Sequence, residues 1–419
     1  MTEIICSEPS VKDENRLIHA FEPKGETKQF FKQSKLEVKY PTDISDVQNC
    51  LLTIPLLSNL APVAWITGNT LRVKQLDERA AQTIQLVKSG YKQTLYQAGF
   101  DVSFSGEVLI DEVVRYDGDV IDSGKKAMLF TGGVDSTASF LRRQQETPAL
   151  VIVKREKDSE DLWVSRKKNI EAFANYFNTD YLVVESNMRK NLIKGSEILL
   201  RSSLNLNRSW WAGIQYPIGY MGLLAPLTEA EGFSTLYQSS GATGKSLFHA
   251  PESNPMIVDQ LIWGDTESRI VDFGLSRQNK VETIVNRCSS DWPFIIHSCS
   301  EADPCTSCES CYRNIMGIFT AGGDPEALGH TMDGGYEKLI EYFATDSIEF
   351  SPVKVNIWCD IQNRLDRNLW SGPPQLYEAF SSVSIQPKQK PQSLKKGIYW
   401  GLPQPINRIG LRMYRSMQS

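Results

Sequence analysis

The string Thr131-Gly132-Gly133-Val134-Asp135-Ser136-Thr137 brings glycines, hydroxyls and a carboxylate together at one turn. It follows the apolar run Ala127-Met128-Leu129-Phe130, which reads as a buried strand. It leads into Ala138-Ser139-Phe140-Leu141-Arg142-Arg143, which reads as a helix. Glycines at a strand-to-helix turn let the backbone approach an anion closely. Helix-start N–H groups and the hydroxyls of Thr131, Ser136 and Thr137 could then hold a phosphate or pyrophosphate. The plainer reading is a glycine turn with Asp135 as a capping residue. The whole string behind a buried strand favours phosphate binding.

A second group of residues has metal-ligand spacing. Cys299, Cys305, Cys308 and Cys311 follow the pattern C-x5-C-x2-C-x2-C. Thiolates this close suit a tetrahedral zinc ion, and a site of four thiolates leaves no position for an activated water. The role expected of zinc is therefore a structural clamp. Disulfides are the alternative. The start Met-Thr-Glu-Ile-Ile-Cys-Ser-Glu shows no secretory signal, so a reducing, cytoplasmic location is expected instead. Cys6, Cys50, Cys288 and Cys359 are scattered and read as buried or incidental thiols.

The loop resembles the Ser-Gly-Gly-x-Asp-Ser pyrophosphate loop (PP-loop) of the N-type ATP pyrophosphatases, with Thr131 in place of the first serine. Together with the later cysteine pattern it resembles the 7-cyano-7-deazaguanine synthase (QueC) family. Phe319, Ala321-Gly322 and Asp324-Pro325 after the last cysteine also look like that family's end, at tighter spacing. The resemblance covers about residues 126–330. It implies an adenine nucleotide alpha-hydrolase-like fold: an α/β parallel sheet with helices on both faces. It also implies ATP, Mg2+ and Zn2+ as cofactors, with Thr131, Gly132, Gly133, Val134, Asp135, Ser136 and Thr137 on the nucleotide. Asp135, Ser136 and Lys245 are the candidate catalytic residues.

The implied chemistry is adenylation of a deazaguanine-type carboxylate, with loss of pyrophosphate. An amine then displaces AMP, giving an amide, a nitrile after a second ATP, or a conjugate. A carboxylate is a poor electrophile, and AMP is a good leaving group. Two departures bear on the substrate. The family's Asp-Cys-Arg motif is absent, with Phe248-His249-Ala250-Pro251 in its place, and residues 1–125 and 331–419 lie outside the matched region. Enlarged relatives occur in the Qat and type IV CBASS antiphage systems, where the acceptor is thought to be a protein N-terminus. A small-molecule carboxylate and a protein acceptor from the same operon are thus the expected partners. The alternatives are a MurL-like epimerase acting on a glutamyl carboxylate, sulfur insertion into nucleic acid, and a subunit that senses nucleotide without turnover.

These motifs need elements to position them. Within 126–330, Leu150–Val153, Tyr181–Glu185 and Thr235–Ser240 read as strands. Trp163–Phe177 and Tyr216–Ala230 read as helices. Such alternation predicts a parallel sheet whose ligands bind beyond the strands' carboxyl ends. That arrangement brings Thr131–Thr137 and Ser239–Lys245 to one crevice. Gly241-Ala242-Thr243-Gly244-Lys245-Ser246 mimics the end of a Walker A loop, but Ser239 stands where its first glycine belongs. Arg277 and Lys280 sit at a helix start and could reach phosphate. Arg208, beside Trp210-Trp211, could bind an anionic substrate or pack on the rings.

Residues 1–125 read as a separate α/β module for scaffolding or partner docking, with 1–32 polar and partly flexible. In it Leu36–Tyr40, Phe100–Ser105 and Glu107–Ile110 read as strands, and Val47–Leu60 and Leu76–Leu95 as helices. Residues 331–419 read as a helical extension with a basic tail from 385 that contains no Asp or Glu. A docking arm or solubilising tail is favoured there over a nucleic-acid contact. The net charge of −5 likewise gives no general case for nucleic acid. No apolar run approaches the roughly 20 residues that span a bilayer.

Overall fold

The computed structural model describes residues 2–388, except 101, 118–123, 155–158, 203, 205–208, 242–253, 290–291, 300, 302–303 and 333. The strands are β1 Glu3–Cys6, β2 Ser10–Lys12, β3 Arg16–Pro23, β4 Lys35–Lys39, β5 Thr70–Asp77 and β6 Glu107–Val114. They continue with β7 Lys126–Leu129, β8 Ala149–Lys154, β9 Tyr181–Ser186, β10 Thr235–Ser239, β11 Ile262–Trp263 and β12 Thr266–Val271. All of these form one 12-stranded sheet in the order β11-β12-β10-β7-β8-β9-β4-β3-β1-β5-β6, with β2 on β3.

The strands β9-β8-β7-β10-β12 are mutually parallel. Strand β8 is buried through Ala149, Leu150, Val151 and Ile152, the continuous apolar run expected of a strand covered on both faces. From β7 the chain winds outward through β8 and β9, then returns to the other side of β7 as β10 and β12. The strand order therefore reverses between β7 and β10. In open α/β sheets that switch point is where ligands bind, beyond the carboxyl ends. The Thr131–Thr137 loop leaves β7 at that place. The α/β architecture expected for 126–330 is present.

The N-terminal strands belong to the same sheet. Strand β4 pairs antiparallel with β9 through Val38 and Ser186 and through Lys39 and Glu185. No break in the sheet marks the expected boundary at 125/126. Residues 2–32 contain β1 to β3 and a short turn of helix, with Ile4, Leu17, His19 and Phe21 buried. Charged residues between Glu8 and Arg16 make the segment look polar ahead of the period-2 burial that begins at Leu17. The helix Ile54–Thr67 is buried from Ile54 to Ile66 and packs on the helix Tyr216–Leu223. The two helices come close because Gly222 lacks a Cβ. One placed there would lie 2.2 Å from Ser58 Oγ. A single core unites this half with Ala127, Val151 and Leu236.

Smaller differences have local causes. Among the described residues, Phe100 and Val102–Ser105 form no strand; the helix Glu78–Gln97 ends just before, with the Phe100 N–H on the Leu95 carbonyl. The helix expected over Tyr216–Ala230 is two helices, Tyr216–Leu223 and Ala225–Glu231, the second with proline in its first turn.

Residues 331–388 contain the helices Glu337–Phe343, Pro352–Asn363 and Pro374–Ser382. A parallel pair, β13 Ser347–Phe350 with β14 Ser384–Pro387, completes this extension. Leu339, Phe343, Trp358, Leu376 and Phe380 are fully buried there. The helix Glu309–Thr320 contributes Tyr312, Ile315, Met316 and Phe319 to this core and Ile318 to the core beneath the sheet. It thereby joins the extension to the parallel part of the sheet. The basic tail beyond Lys388 lies outside the described residues. Among the described residues, no helix is long and apolar enough to cross a membrane.

Candidate functional site

The loop is built by three local devices. Gly132 takes φ +70°, a conformation that side chains rarely adopt. Its carbonyl accepts the His297 N–H at 3.0 Å, which ties the loop to the segment before the cysteines. Ser136 Oγ accepts the Thr131 N–H at 3.3 Å and donates to the Gly133 carbonyl at 3.2 Å. Ser136 thus closes the loop on itself. The helix Val134–Arg142 begins at Gly133 with no side-chain cap, so its first N–H groups retain their pull on an anion.

The hydroxyls expected on phosphate are not equivalent. Thr131 is exposed, Ser136 is buried in the loop's own bonds, and Thr137 is fully buried with no partner for Oγ1. Gly133 and Asp135 are half-buried, while Gly132 and Val134 are buried. Of the side chains expected on the nucleotide, Thr131 and Asp135 are therefore the accessible ones.

Asp135 is the centre of a charge cluster. Its Oδ1 lies 2.9 Å from Lys280 Nζ, and its Oδ2 lies 3.4 Å from Arg277 Nη1. Lys280 is 1 % exposed and also donates to the Ser240 carbonyl at the end of β10. That lysine bridges the β7 loop and the start of the loop after β10. Residues 242–253, including Lys245 and His249, lie outside the described residues, as does Arg208. Burial alone would raise the Asp135 carboxyl, but Lys280 and Arg277 outweigh it and hold it below the ordinary carboxylate value.

Two further cations stand behind these. Arg313 donates to Glu309 at 2.9 Å, and Lys354 reaches the same carboxylate at 2.6 Å. Burial, with the charge of Arg277 next, lowers the Arg313 guanidinium to about 10. Among the described residues the buried cations Arg277, Lys280 and Arg313 pair with the carboxylates of Asp135 and Glu309, three positive charges against two negative. Buried cations normally have counter-charges, so this excess favours an anionic ligand. Arg277 and Lys280 stand three apart, on one face of the helix Arg277–Val285, a spacing visible in the sequence. Arg313 carries no such sign, because it is brought in by the fold.

An aromatic group packs against the N-terminal core, with Tyr216 near enough to feel the charge of Asp135. The Arg189 guanidinium lies 4.8 Å from the Trp211 ring centroid. Trp211 and Tyr220 are 4.9 Å apart, and Tyr216 and Tyr220 are 5.3 Å apart. Burial raises the Tyr216 hydroxyl, and the charges of Tyr220 and Asp135 add to that. Arg189 and Trp211 each sit on a π-helical turn, Met188–Leu192 and Trp211–Gln215. Such turns are rare and recur at functional sites.

Cys299, Cys305 and Cys311 bring their sulfurs within 4.8 Å of one another, a donor set that fits a thiophilic metal such as zinc. All are free thiols. Cys308 occupies the N-cap position of the helix Glu309–Thr320, without a side-chain cap bond, and stands outside that three-sulfur group. Burial would raise the Cys305 thiol, but hydrogen bonds from Ser307 and Cys308 outweigh it and bring it down to about 6.

Acid should destabilise the fold in a defined window. Burial lowers His19 and His330 to about 4, so both are neutral when folded. The unfolded chain takes up those protons near pH 6.5. Stability is therefore full above pH 6.5 and falls as pH drops toward 4. Asp135, held low, adds a loss below the ordinary carboxylate range. Melting temperatures from pH 7.5 to 4.5 should fall steadily below 6.5, and a flat profile would contradict the buried neutral histidines.

No protein-family model, no curated protein and no solved structure matches this chain.

Proposed function

We propose that this chain is a QueC-like enzyme that uses ATP to adenylate a deazaguanine-type carboxylate and passes the acyl group to an amine. The observation that carries this reading is the cation-rich cluster around Asp135, set beside a strand–loop–helix turn at the sheet's switch point. A carboxylate oxygen of the substrate attacks the α-phosphorus of ATP. The bond between the α-phosphorus and its bridging oxygen breaks, and pyrophosphate leaves. Arg277, Lys280 and Arg313 supply the charge that stabilises the departing group, preorganised in a partly buried site. The amine nitrogen then attacks the acyl carbon, the acyl–oxygen bond breaks, AMP departs, and the nitrogen loses a proton. Magnesium, when bound, would screen the phosphate charges.

Thr131 and the first N–H groups of the helix Val134–Arg142 would hold phosphate oxygens, and Ser136 would keep the loop in shape. The group of Trp211, Tyr216 and Tyr220 with Arg189 supports a flat, anionic acyl substrate. Zinc on Cys299, Cys305, Cys308 and Cys311 would act as a clamp. The acceptor in this reading is an amine on a protein partner, as in antiphage conjugation.

The test is mass spectrometry after incubation with ATP, magnesium and the carboxy-deazaguanine, with and without proteins encoded beside this one. AMP together with a deazaguanine amide, nitrile or protein adduct is expected. AMP formed only with a glutamyl substrate would replace this reading with epimerisation, and ATP binding without AMP would replace it with sensing.

A further inference from the structure

We propose that Ser298 and Asn314 are positioning residues that hold the Arg277 guanidinium on Asp135, and that the cysteine cluster sets their position. The proposal rests on reading the loop as a polyphosphate site. Asn314 is 1 % exposed, and its Oδ1 accepts from Arg277 Nη2 at 3.0 Å. An arginine only donates, so this contact requires the amide oxygen to face it. The amide nitrogen is fixed on the other side, 2.9 Å from Ser298 Oγ and 3.3 Å from His330 Nε2. Ser298 Oγ lies 3.4 Å from the same Arg277 nitrogen. The other end of the guanidinium meets Asp135 at 3.4 Å. Arg277 is thus gripped by two polar side chains on one side and by the loop carboxylate on the other.

Both grips are anchored in the cysteine cluster. Ser298 immediately precedes Cys299. Asn314 lies three residues beyond Cys311, on the same face of the helix Glu309–Thr320. Cys299 and Cys311 belong to the group whose sulfurs share one small volume. A metal drawing those sulfurs together fixes the backbone on which Ser298 and Asn314 stand. Losing it frees both supports of Arg277 at once, without touching the loop. Through this connection a cluster placed outside the crevice acts on anion affinity inside it.

Inorganic pyrophosphate titrated calorimetrically into the full chain reads this without turnover. Asn314→Ala should weaken binding about tenfold, the scale of one hydrogen bond to a charged group. Arg277→Ala should weaken it at least as much, and the double variant should be no weaker than Arg277→Ala alone. Ser298→Ala should act in the same direction if Asn314→Ala folds poorly. Stripping the metal from the wild type should reproduce the Asn314→Ala loss and add nothing to that variant. If Asn314→Ala costs its full factor on top of Arg277→Ala, or stripping leaves affinity unchanged, the proposal fails. Wild type that binds pyrophosphate with unaltered variants removes the positioning role alone. Wild type that binds none removes the polyphosphate site with it.

Discussion

Lys280→Met is expected to reduce AMP formation by at least about a hundredfold, the scale of losing one preorganised charge-stabilising group. The lysine is almost wholly buried and has two fixed partners, Asp135 and the Ser240 carbonyl. Methionine fills a similar volume without the charge. Asp135 keeps only the longer contact to Arg277, and its carboxyl rises toward the ordinary value. Breaking one side of a buried pair usually costs about 3–5 kcal/mol, but Asp135 retains 32 % exposure, so a smaller loss of stability is expected. Removing both charges in Asp135→Ala/Lys280→Met should restore much of the stability and none of the activity. Denaturant unfolding together with AMP assays separates the two effects. A Lys280→Met protein with full activity would remove the charge cluster from the mechanism.

Cys311→Ser should have the second largest effect. Cys311 is fully buried at the start of the helix that joins the cysteine cluster, the crevice and the C-terminal core. Serine offers a harder, less acidic donor in place of a thiolate, and zinc affinity falls accordingly. Metal binding to a site absent from the unfolded chain contributes directly to folding. Zinc content should drop from about one ion per chain toward zero, with the melting temperature lower by at least about 5 °C. Cys359→Ser, at a half-buried thiol outside the cluster, should change neither. Equal zinc content in Cys311→Ser and wild type would exclude the clamp.

The parts of the site that were legible in the sequence are those encoded locally. A glycine pair between a buried strand and a helix is a short-range signal, and so is the cysteine spacing. Arg277 and Lys280 were visible as cations at a helix start, but their convergence on Asp135 spans 142 and 145 residues of chain. Asn314 and Arg313 gave no signal, because an asparagine or arginine on a helix is ordinary until the fold sets it beside another charge. The same limit explains the N-terminal half. Its strands were partly readable, yet nothing in Val38 or Lys39 announces their pairing with Ser186 and Glu185. The charged residues from Lys12 to Arg16, at the start of β3, also made the segment look polar although they lead into a strand.

The measurement that tests the central claim most directly is 31P NMR of ATP incubated with the protein, magnesium and the carboxy-deazaguanine. Cleavage between the α- and β-phosphates gives AMP and pyrophosphate, in step with carboxylate consumed and abolished in Lys280→Met. ADP with inorganic phosphate, or ATP left intact beside a protein that binds it, would contradict an adenylating enzyme.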